Sequence, residues 1–454
     1  MMRAILAGLF AAVLMAASAA AADQAGVVKK PAVDVYAQPK LDAPKISTLK
    51  RDAVVTISAQ QGLWYQLRLA TGETGYVRVN DVRLASADAG GGGSTSALTG
   101  GMAGAGRVTE TAGVRGIDES DLKTAAFNQA ELDKMTAYRV TDGAASSHAA
   151  TQGWQATKVA YSGEAKPQKK SGVSSSDGSG GGALSAAKGM FGSISSGISS
   201  ALGTAEKAEK AMPKSEAEQS AEELALGPQI AGRALGARPL WNDAAAQQRV
   251  NVIGRWVASQ TSRPDLPWTF GIIDTPEINA FAAPGGYILV TRGLYEILSS
   301  DGEVAAVLGH EISHCVQRDH YNVIRKQELA TAGKDLGMGE VREASAQTQA
   351  AQSQAGNAAL NFALQYVEKH GATILLTSLD RAAEYRADEA AEIYVARAGM
   401  NPLALYAVLQ KMASLGSQSP ALAQLYKTHP ALDDRMDRID GRDNKALKPY
   451  TLRE

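Results

Sequence analysis

The segment Ser300-Asp-Gly-Glu-Val-Ala-Ala-Val-Leu-Gly-His310-Glu-Ile-Ser-His314-Cys315 reads as a helix that carries its own chemistry. Ser300 and Glu303 have the Ser-x-x-Glu spacing of a capping box, which places the N-terminus. Val304, Val307, Leu308, Ile312 and Cys315 recur mostly three or four apart and mark a face turned toward a core. His310 and His314 are four apart, so both imidazoles project from one side and can meet a single metal ion. Glu311 lies beside that face, within reach of a metal-bound water. The competing reading is a surface helix that happens to carry two histidines. Against it stands the apolar flank, which would limit water access and orient the ligands.

Two histidines leave a metal short of protein ligands; a catalytic zinc takes three and keeps a position for water. Arg381-Ala-Ala-Glu384-Tyr-Arg-Ala-Asp388 opens an alanine-rich segment that ends near Gly399 and reads as a second helix with a glycine stop. Glu384 and Asp388 are one turn apart. One carboxylate can bind the metal while the other holds a ligand histidine, or both can belong to a solvated helix face.

Further along stand Thr428-His429-Pro430 and, before the first helix, Phe270-Gly-Ile-Ile-Asp-Thr-Pro-Glu-Ile-Asn279-Ala-Phe281-Ala-Ala-Pro-Gly-Gly-Tyr-Ile-Leu-Val-Thr-Arg-Gly-Leu294. With Leu308–His314 and the Glu384/Asp388 pair, these four ordered motifs resemble the HtpX-like zinc metallopeptidases. That family comprises gluzincins related to the CAAX prenyl endopeptidases, and its soluble periplasmic branch includes BepA-type proteases. The resemblance covers about Leu224 to Arg442. It implies one Zn²⁺ per chain bound by His310, His314 and Glu384, with Asp388 as partner of a ligand histidine. It implies Glu311 as general base and acid, and His429 as a group near the metal that either steadies the oxyanion or occludes the open position. It also implies an edge strand at Asn279, Ala280 and Phe281 on which an extended substrate pairs. The local pattern agrees with that strand: a β-like run, a Pro-Gly-Gly turn and Tyr287–Thr291 as the next strand. An unpaired edge binds a peptide backbone without reading its sequence; an ordinary sheet strand is the alternative. His429 before a proline also fits a helix boundary.

Cys315 is the only cysteine, so no internal disulfide exists, and on the core side of a helix it reads as a small buried hydrophobe. The Ala/Gln-rich stretch from Glu328 to Val367 reads as a helical insert, a hairpin over the site, with His320 and His370 at the surface beside it.

At 454 residues the chain exceeds one typical core. The expected organisation is multidomain: a small all-β SH3-like barrel plus a mainly α-helical α+β zincin metalloprotease domain. Residues 1–22 have a basic start, a short apolar run and a small-residue cleavage zone, the pattern of a signal peptide, which predicts export to the periplasm. Residues 27–84 carry short alternating runs with glycine punctuation and resemble a bacterial SH3 domain, with Trp64 either core or ligand-facing. Such domains bind cell-wall or protein ligands. Residues 85–223 are expected as a Gly/Ser-rich linker with short helices, among them an amphipathic one over Asp118–Met135. Within it, residues 184–202 carry apolar side chains at helical spacing and suit either a membrane-interface helix or weakly ordered linker. The metallopeptidase domain is expected over 224–445.

Lys and Arg total 46 against 47 for Asp and Glu, so no basic field supports nucleic-acid binding. No mature segment is apolar for long enough to span a bilayer. The sequence thus predicts an exported zinc endopeptidase acting on unfolded or misassembled envelope proteins. Its rival is a latent or chaperone-like envelope assembly factor that binds partners through the SH3-like domain.

Overall fold

The computed structural model describes residues 23–69, 71–86, 117–164, 214–335, 352–442 and 444–453. The expected leader at 1–22, the glycine run at 90–93 and the segment at 184–202 lie outside the described residues, as does the centre of the insert at 336–351. Two compact units separate between Thr109 and Glu110.

The first unit is antiparallel throughout. Strands β1 (Gln24–Val28), β2 (Ala32–Tyr36), β3 (Lys45–Lys50), β4 (Val54–Gln61), β5 (Trp64–Arg68), β6 (Thr74–Arg78) and β7 (Val82–Leu84) form one sheet in the order β3-β2-β6-β5-β4-β1-β7. The alternation of β-branched and polar residues sets its inner face, where Val35, Ile57, Leu67 and Val77 are fully buried. Gly62 turns β4 into β5 at φ +59°. Trp64 is only 5 % exposed, edge-on to Tyr36 at 5.5 Å and covered by the Arg78 guanidinium at 5.0 Å. It packs as core.

The second unit is mostly helical around a three-stranded sheet. Its helices are α1 (Glu119–Thr124), α2 (Gln129–Ala137), α3 (Asp142–Thr151), α4 (Glu216–Ala237), α5 (Ala244–Ala258), α6 (Arg292–Ile297), α7 (Asp301–Gln317), α8 (Asp319–Asp335), α9 (Gln352–His370), α10 (Arg381–Arg397), α11 (Leu403–Ser414), α12 (Leu425–Thr428), α13 (Leu432–Gly441) and α14 (Lys448–Thr451). Strands β8 (Thr269–Ile273), β9 (Ala280–Ala283) and β10 (Tyr287–Thr291) run in the order β8-β10-β9. β10 is parallel to β8 and antiparallel to β9, which leaves β9 at an edge. Gly285 and Gly286 make the turn between β9 and β10 at φ +76° and +89°. A side chain on Gly285 would also meet the Glu223 carbonyl, so both its angle and its space require glycine.

Of the stretch expected as linker, residues 117–164 and 214–223 are built into this unit. Leu122, Leu132 and Met135 lie in the same buried cluster as Ile230, Leu289, Tyr321 and Val367. The amphipathic segment is two helices rather than one: Asp118 caps α1 with a full capping box and Asn128 caps α2. Between them the chain crosses α4, where Gly232 faces the Phe127 ring and Gly236 faces the Ala126 carbonyl. Residues 154–164 run on along the end of α10. Thr157 N donates to Arg397 O at 2.8 Å, Tyr161 Oη to Arg386 O at 3.2 Å, and Glu164 receives both Arg397 Nη groups.

Glu223 of α4 is fully buried and serves as a hub. It accepts both Arg263 Nη groups at 2.7–2.8 Å and Arg318 Nε at 3.0 Å, while Arg263 also donates to the Cys315 carbonyl. This ties α4 to the C-terminal end of α7. At the other end of α7, Ser300 Oγ accepts Glu303 N at 3.2 Å, but the Glu303 carboxylate turns to Ser299 N and Lys411 Nζ, each at 2.7 Å. Half of the expected capping box is formed, and a buried ion pair to α11 replaces the other half.

Candidate metal centre

Helix α7 is buried along nearly its whole length and packs lengthwise on α10. Gly309 meets Ala391 where the two helices approach, and Ala383, Ala387 and Ala390 keep the α10 face small. Small residues let the backbones come close. That approach carries Glu384 to the two histidines of α7.

His310 Nδ1 lies 3.0 Å from Asp388 Oδ1, and His314 Nδ1 lies 2.9 Å from Asp319 Oδ2. A carboxylate on each Nδ1 places a proton on that nitrogen and turns both Nε2 atoms inward, the arrangement in which a neutral imidazole can ligate a metal. Those two Nε2 atoms face each other at 3.2 Å. Glu384 places Oε2 3.5 Å from His310 Nε2 and Oε1 3.7 Å from His314 Nε2. Glu384 Oε2 is buried and has no hydrogen-bond donor. Bonds of roughly 2.0–2.2 Å at tetrahedral angles would set neighbouring donors about 3.4 Å apart. The observed spacings match, so the donor set fits a tetrahedral ion such as zinc. His429 completes the group: its Nε2 is 3.6 Å from Glu384 Oε2, and the four donor atoms lie within 4.8 Å of one another.

Charge follows geometry. Burial works to raise the Glu384 carboxyl, yet the surrounding histidines hold it far below the usual carboxylate range. Burial likewise opposes ionisation of Asp388, but Arg435 and His310 hold it low; Arg435 gives Nε to Oδ2 at 3.0 Å and Nη2 to Oδ1 at 2.5 Å. Burial disfavours a charged His310, and the Asp388 and Glu384 carboxylates overcome this and raise it to about 9. His429 is pushed down to about 3 by burial. Glu311, 4 % exposed beside the histidines, is pushed up by burial.

Two cavities flank Glu311. One, partly open to solvent, is bounded by Asn279, Ala280, His310, Glu311, His429 and residues of α11. The other, smaller, is bounded by Ala280, Phe281, His320, Leu375, Thr377 and Thr428. Edge strand β9 borders both. Asn279 is fully buried; its Oδ1 accepts Ala280 N at 3.0 Å and its Nδ2 has no acceptor.

The structure brings His310, His314, Glu384, Asp388, Glu311, His429, Asn279, Ala280 and Phe281 to one place. His320 departs from the surface position expected of it. It is 8 % exposed with its ring 5.9 Å from that of His314, because the chain reverses at Arg318, in the left-handed region at φ 58°, and α8 starts at once. His370 is half-buried, 3.8 Å from Glu328. Cys315 turns away from the donors and gives its thiol to the Ala283 carbonyl at 3.3 Å; burial pushes that thiol far up. Three residues carried no signal in sequence. Asp319 orients His314 and is itself held by Arg386 at 2.6 Å, and Arg435 anchors Asp388.

Residues 244–443 match the model of Peptidase family M48, and residues 31–82 match that of the bacterial SH3 domain. The chain is 28 % identical over 232 residues to the "Beta-barrel assembly-enhancing protease" of Escherichia coli K12, covering 51 % of this chain and 45 % of that protein. It is 29 % identical over 167 residues to the "Mitochondrial metalloendopeptidase OMA1" of Arabidopsis thaliana, covering 37 % of this chain and 30 % of that one. With the "Protease HtpX homolog" of Campylobacter curvus it shares 26 % over 202 residues, 39 % of this chain and 69 % of that one. The chain thus spans less than half the length of its E. coli relative.

Proposed function

From a chain that carries a Peptidase M48 metalloprotease domain and a bacterial SH3 domain, we propose a zinc-dependent endopeptidase that hydrolyses unfolded or misassembled proteins of the cell envelope. The observation that carries this reading is the convergence of the His310 and His314 Nε2 atoms on a buried, donor-free Glu384 oxygen, with Glu311 alongside. His310, His314 and Glu384 would hold a zinc ion, and its Lewis acidity would be what the metal contributes to peptide hydrolysis. Glu311 takes the proton of the attacking water and passes it to the leaving amine, from its place beside the two histidines. Asp388 and Asp319 keep both imidazoles in the ligating tautomer. Asn279, Ala280 and Phe281 align the substrate backbone along the β9 edge, and the unpaired Asn279 Nδ2 is ready to donate to a peptide carbonyl.

The pattern of residues 1–22 supports export to the periplasm, and no helix among the described residues is long and apolar enough to cross a membrane. The domain at residues 31–82 would recruit a cell-wall or protein ligand.

Purified protein should contain about one zinc per chain and cut casein. Glu311→Gln should keep the zinc and lose about 10²–10⁴-fold in rate. Protein without zinc in either form would sink the reading.

A latent form has its own supporting observation: His429 Nε2 stands with the other three donors, in a position to fill the fourth corner and exclude water. His429→Ala then raises casein cleavage if His429 occludes the site. The same change lowers it if His429 steadies the oxyanion.

A further inference from the structure

His320 is held in place by bonded neighbours, while its own ring nitrogen is left unmet. Arg318 gives Nε to Glu223 at 3.0 Å and Nη2 to Ser220 Oγ at 2.7 Å. Asp319 is shared between His314 and Arg386, and Tyr321 Oη donates to Glu222 at 2.8 Å. These bonds fix the left-handed reversal and the first turn of α8 on either side of His320. The residue is 8 % exposed, and its buried Nδ1 has no hydrogen-bond partner among the described residues. An unmet buried polar atom costs stability, so one held this firmly calls for a partner that arrives with a ligand. The clefts around the metal centre locate that ligand. Glu311 and Ala280 both border the two cavities described above. His320 and Ala282 both border the second of these and a third, narrower cleft that reaches Pro284. Along the β9 edge, Glu311 therefore stands level with Ala280 and His320 with Ala282. Two strand residues separate them, about 7 Å. Residues two apart on an extended chain turn their main-chain groups to the same side. A peptide on β9 that directs one carbonyl at the metal centre thus directs a second main-chain group at His320.

We propose that His320 aligns the substrate: its Nδ1 hydrogen-bonds a main-chain group of the extended peptide, two residues from the scissile bond, on the side turned away from β9. The peptide is then held by its backbone along both edges, by β9 on one and by His320 on the other. That sets the register of the scissile bond beside Glu311 and reads no side chain at the point of contact. The inference rests on the peptide-hydrolase reading and adds to it a residue that sets where the chain is cut. The competing role is packing alone, with the His320 ring edge-on to that of His314 at 5.9 Å. Packing needs the shape of the ring and not its nitrogen.

The test is a cycle of side-chain and backbone changes, read by binding of peptide hydroxamates to zinc-loaded protein. The metal-seeking hydroxamate fixes the register of the probe. One series is tetra-alanine with a C-terminal hydroxamate; the other is tetra-alanine on an N-terminal succinyl hydroxamate. In each, one amide at a time is replaced by an ester. His320→Phe should weaken the all-amide peptide of one series about fivefold, the value of one hydrogen bond. The ester two residues from the hydroxamate should cost the wild type a similar factor and cost His320→Phe nothing further. Esters elsewhere should cost both proteins the same. His320→Asn, whose amide reaches the place of Nδ1, should restore the sensitivity to that one ester. His320→Phe should keep its zinc and melt no lower than the wild type, since it retains the ring and sheds an unmet polar atom. Were it recovered unfolded, His320→Gln, whose amide reaches toward Nε2 instead, takes its place in the cycle. Ester costs that are equal in wild type and variant, coupling spread over several positions, or no zinc-dependent hydroxamate binding overturns the inference. Casein cleavage by the wild type is scored separately. Coupling at the one position without casein cleavage fails the protease reading and leaves the role of His320 standing; cleavage without coupling does the reverse.

Discussion

His310 and His314, the proposed zinc ligands, are each held from behind by a carboxylate that is itself held by an arginine: Arg435–Asp388–His310 on one side and Arg386–Asp319–His314 on the other. Asp319→Asn should weaken zinc binding by about 10–100-fold with the ligands intact, measured by competition with a chromophoric chelator. Loss of affinity only on Asp388→Asn would show that the second arm merely packs. Arg435→Met leaves Asp388 buried without its cation and should cost about 3–5 kcal/mol of stability in metal-free protein, read by urea unfolding. The pH sense follows from the depressed carboxyl. Asp388 titrates below its ordinary 3.8 in the folded chain, so its stabilisation is whole above pH 4 and is lost as pH falls below that. The acid-unfolding midpoint of the metal-free Arg435→Met protein should therefore lie above that of the wild type.

At the scale of elements, α7 and α10 were legible because apolar recurrence and the ligand motif coincide on one short stretch. The β9–β10 hairpin was legible through its Pro-Gly-Gly turn, which only glycine can make. Residues 117–164 were harder. Their sequence is polar and poor in large apolar residues, and what fixes them is contact with α4 and α10 roughly 100 to 240 positions away. Local periodicity holds no record of such pairings. The helical break before Asn128 has the same origin, because the chain there must cross α4 over Gly232 and Gly236. Gly236→Ala tests this: intrinsic propensity favours alanine by about 1 kcal/mol, but its Cβ would overlap the Ala126 carbonyl. The variant should melt lower than wild type, by calorimetry. His320 and Asp319 escaped for a related reason, since a left-handed residue at Arg318 reverses the chain and turns an apparent surface pair toward the metal centre.

At the scale of the molecule, the two units should behave unequally on truncation. A chain beginning at Glu110 retains every described contact of the second unit and should keep its zinc affinity and melting temperature. A chain beginning at Ser215 loses Leu122, Leu132, Met135 and Val159, each buried and worth roughly 1.5–3 kcal/mol, a total comparable with the whole stability of a domain. It should be recovered unfolded, by circular dichroism and hydrogen exchange. Cys315, sealed at the joint between α7 and the hairpin, turns this into something that can be timed. As the only thiol in the chain, it is invisible to alkylating reagents while the joint is shut, so the rate of its modification counts openings of the innermost helix. The molecule thus carries a built-in clock, which zinc should slow and every destabilising change named above should quicken.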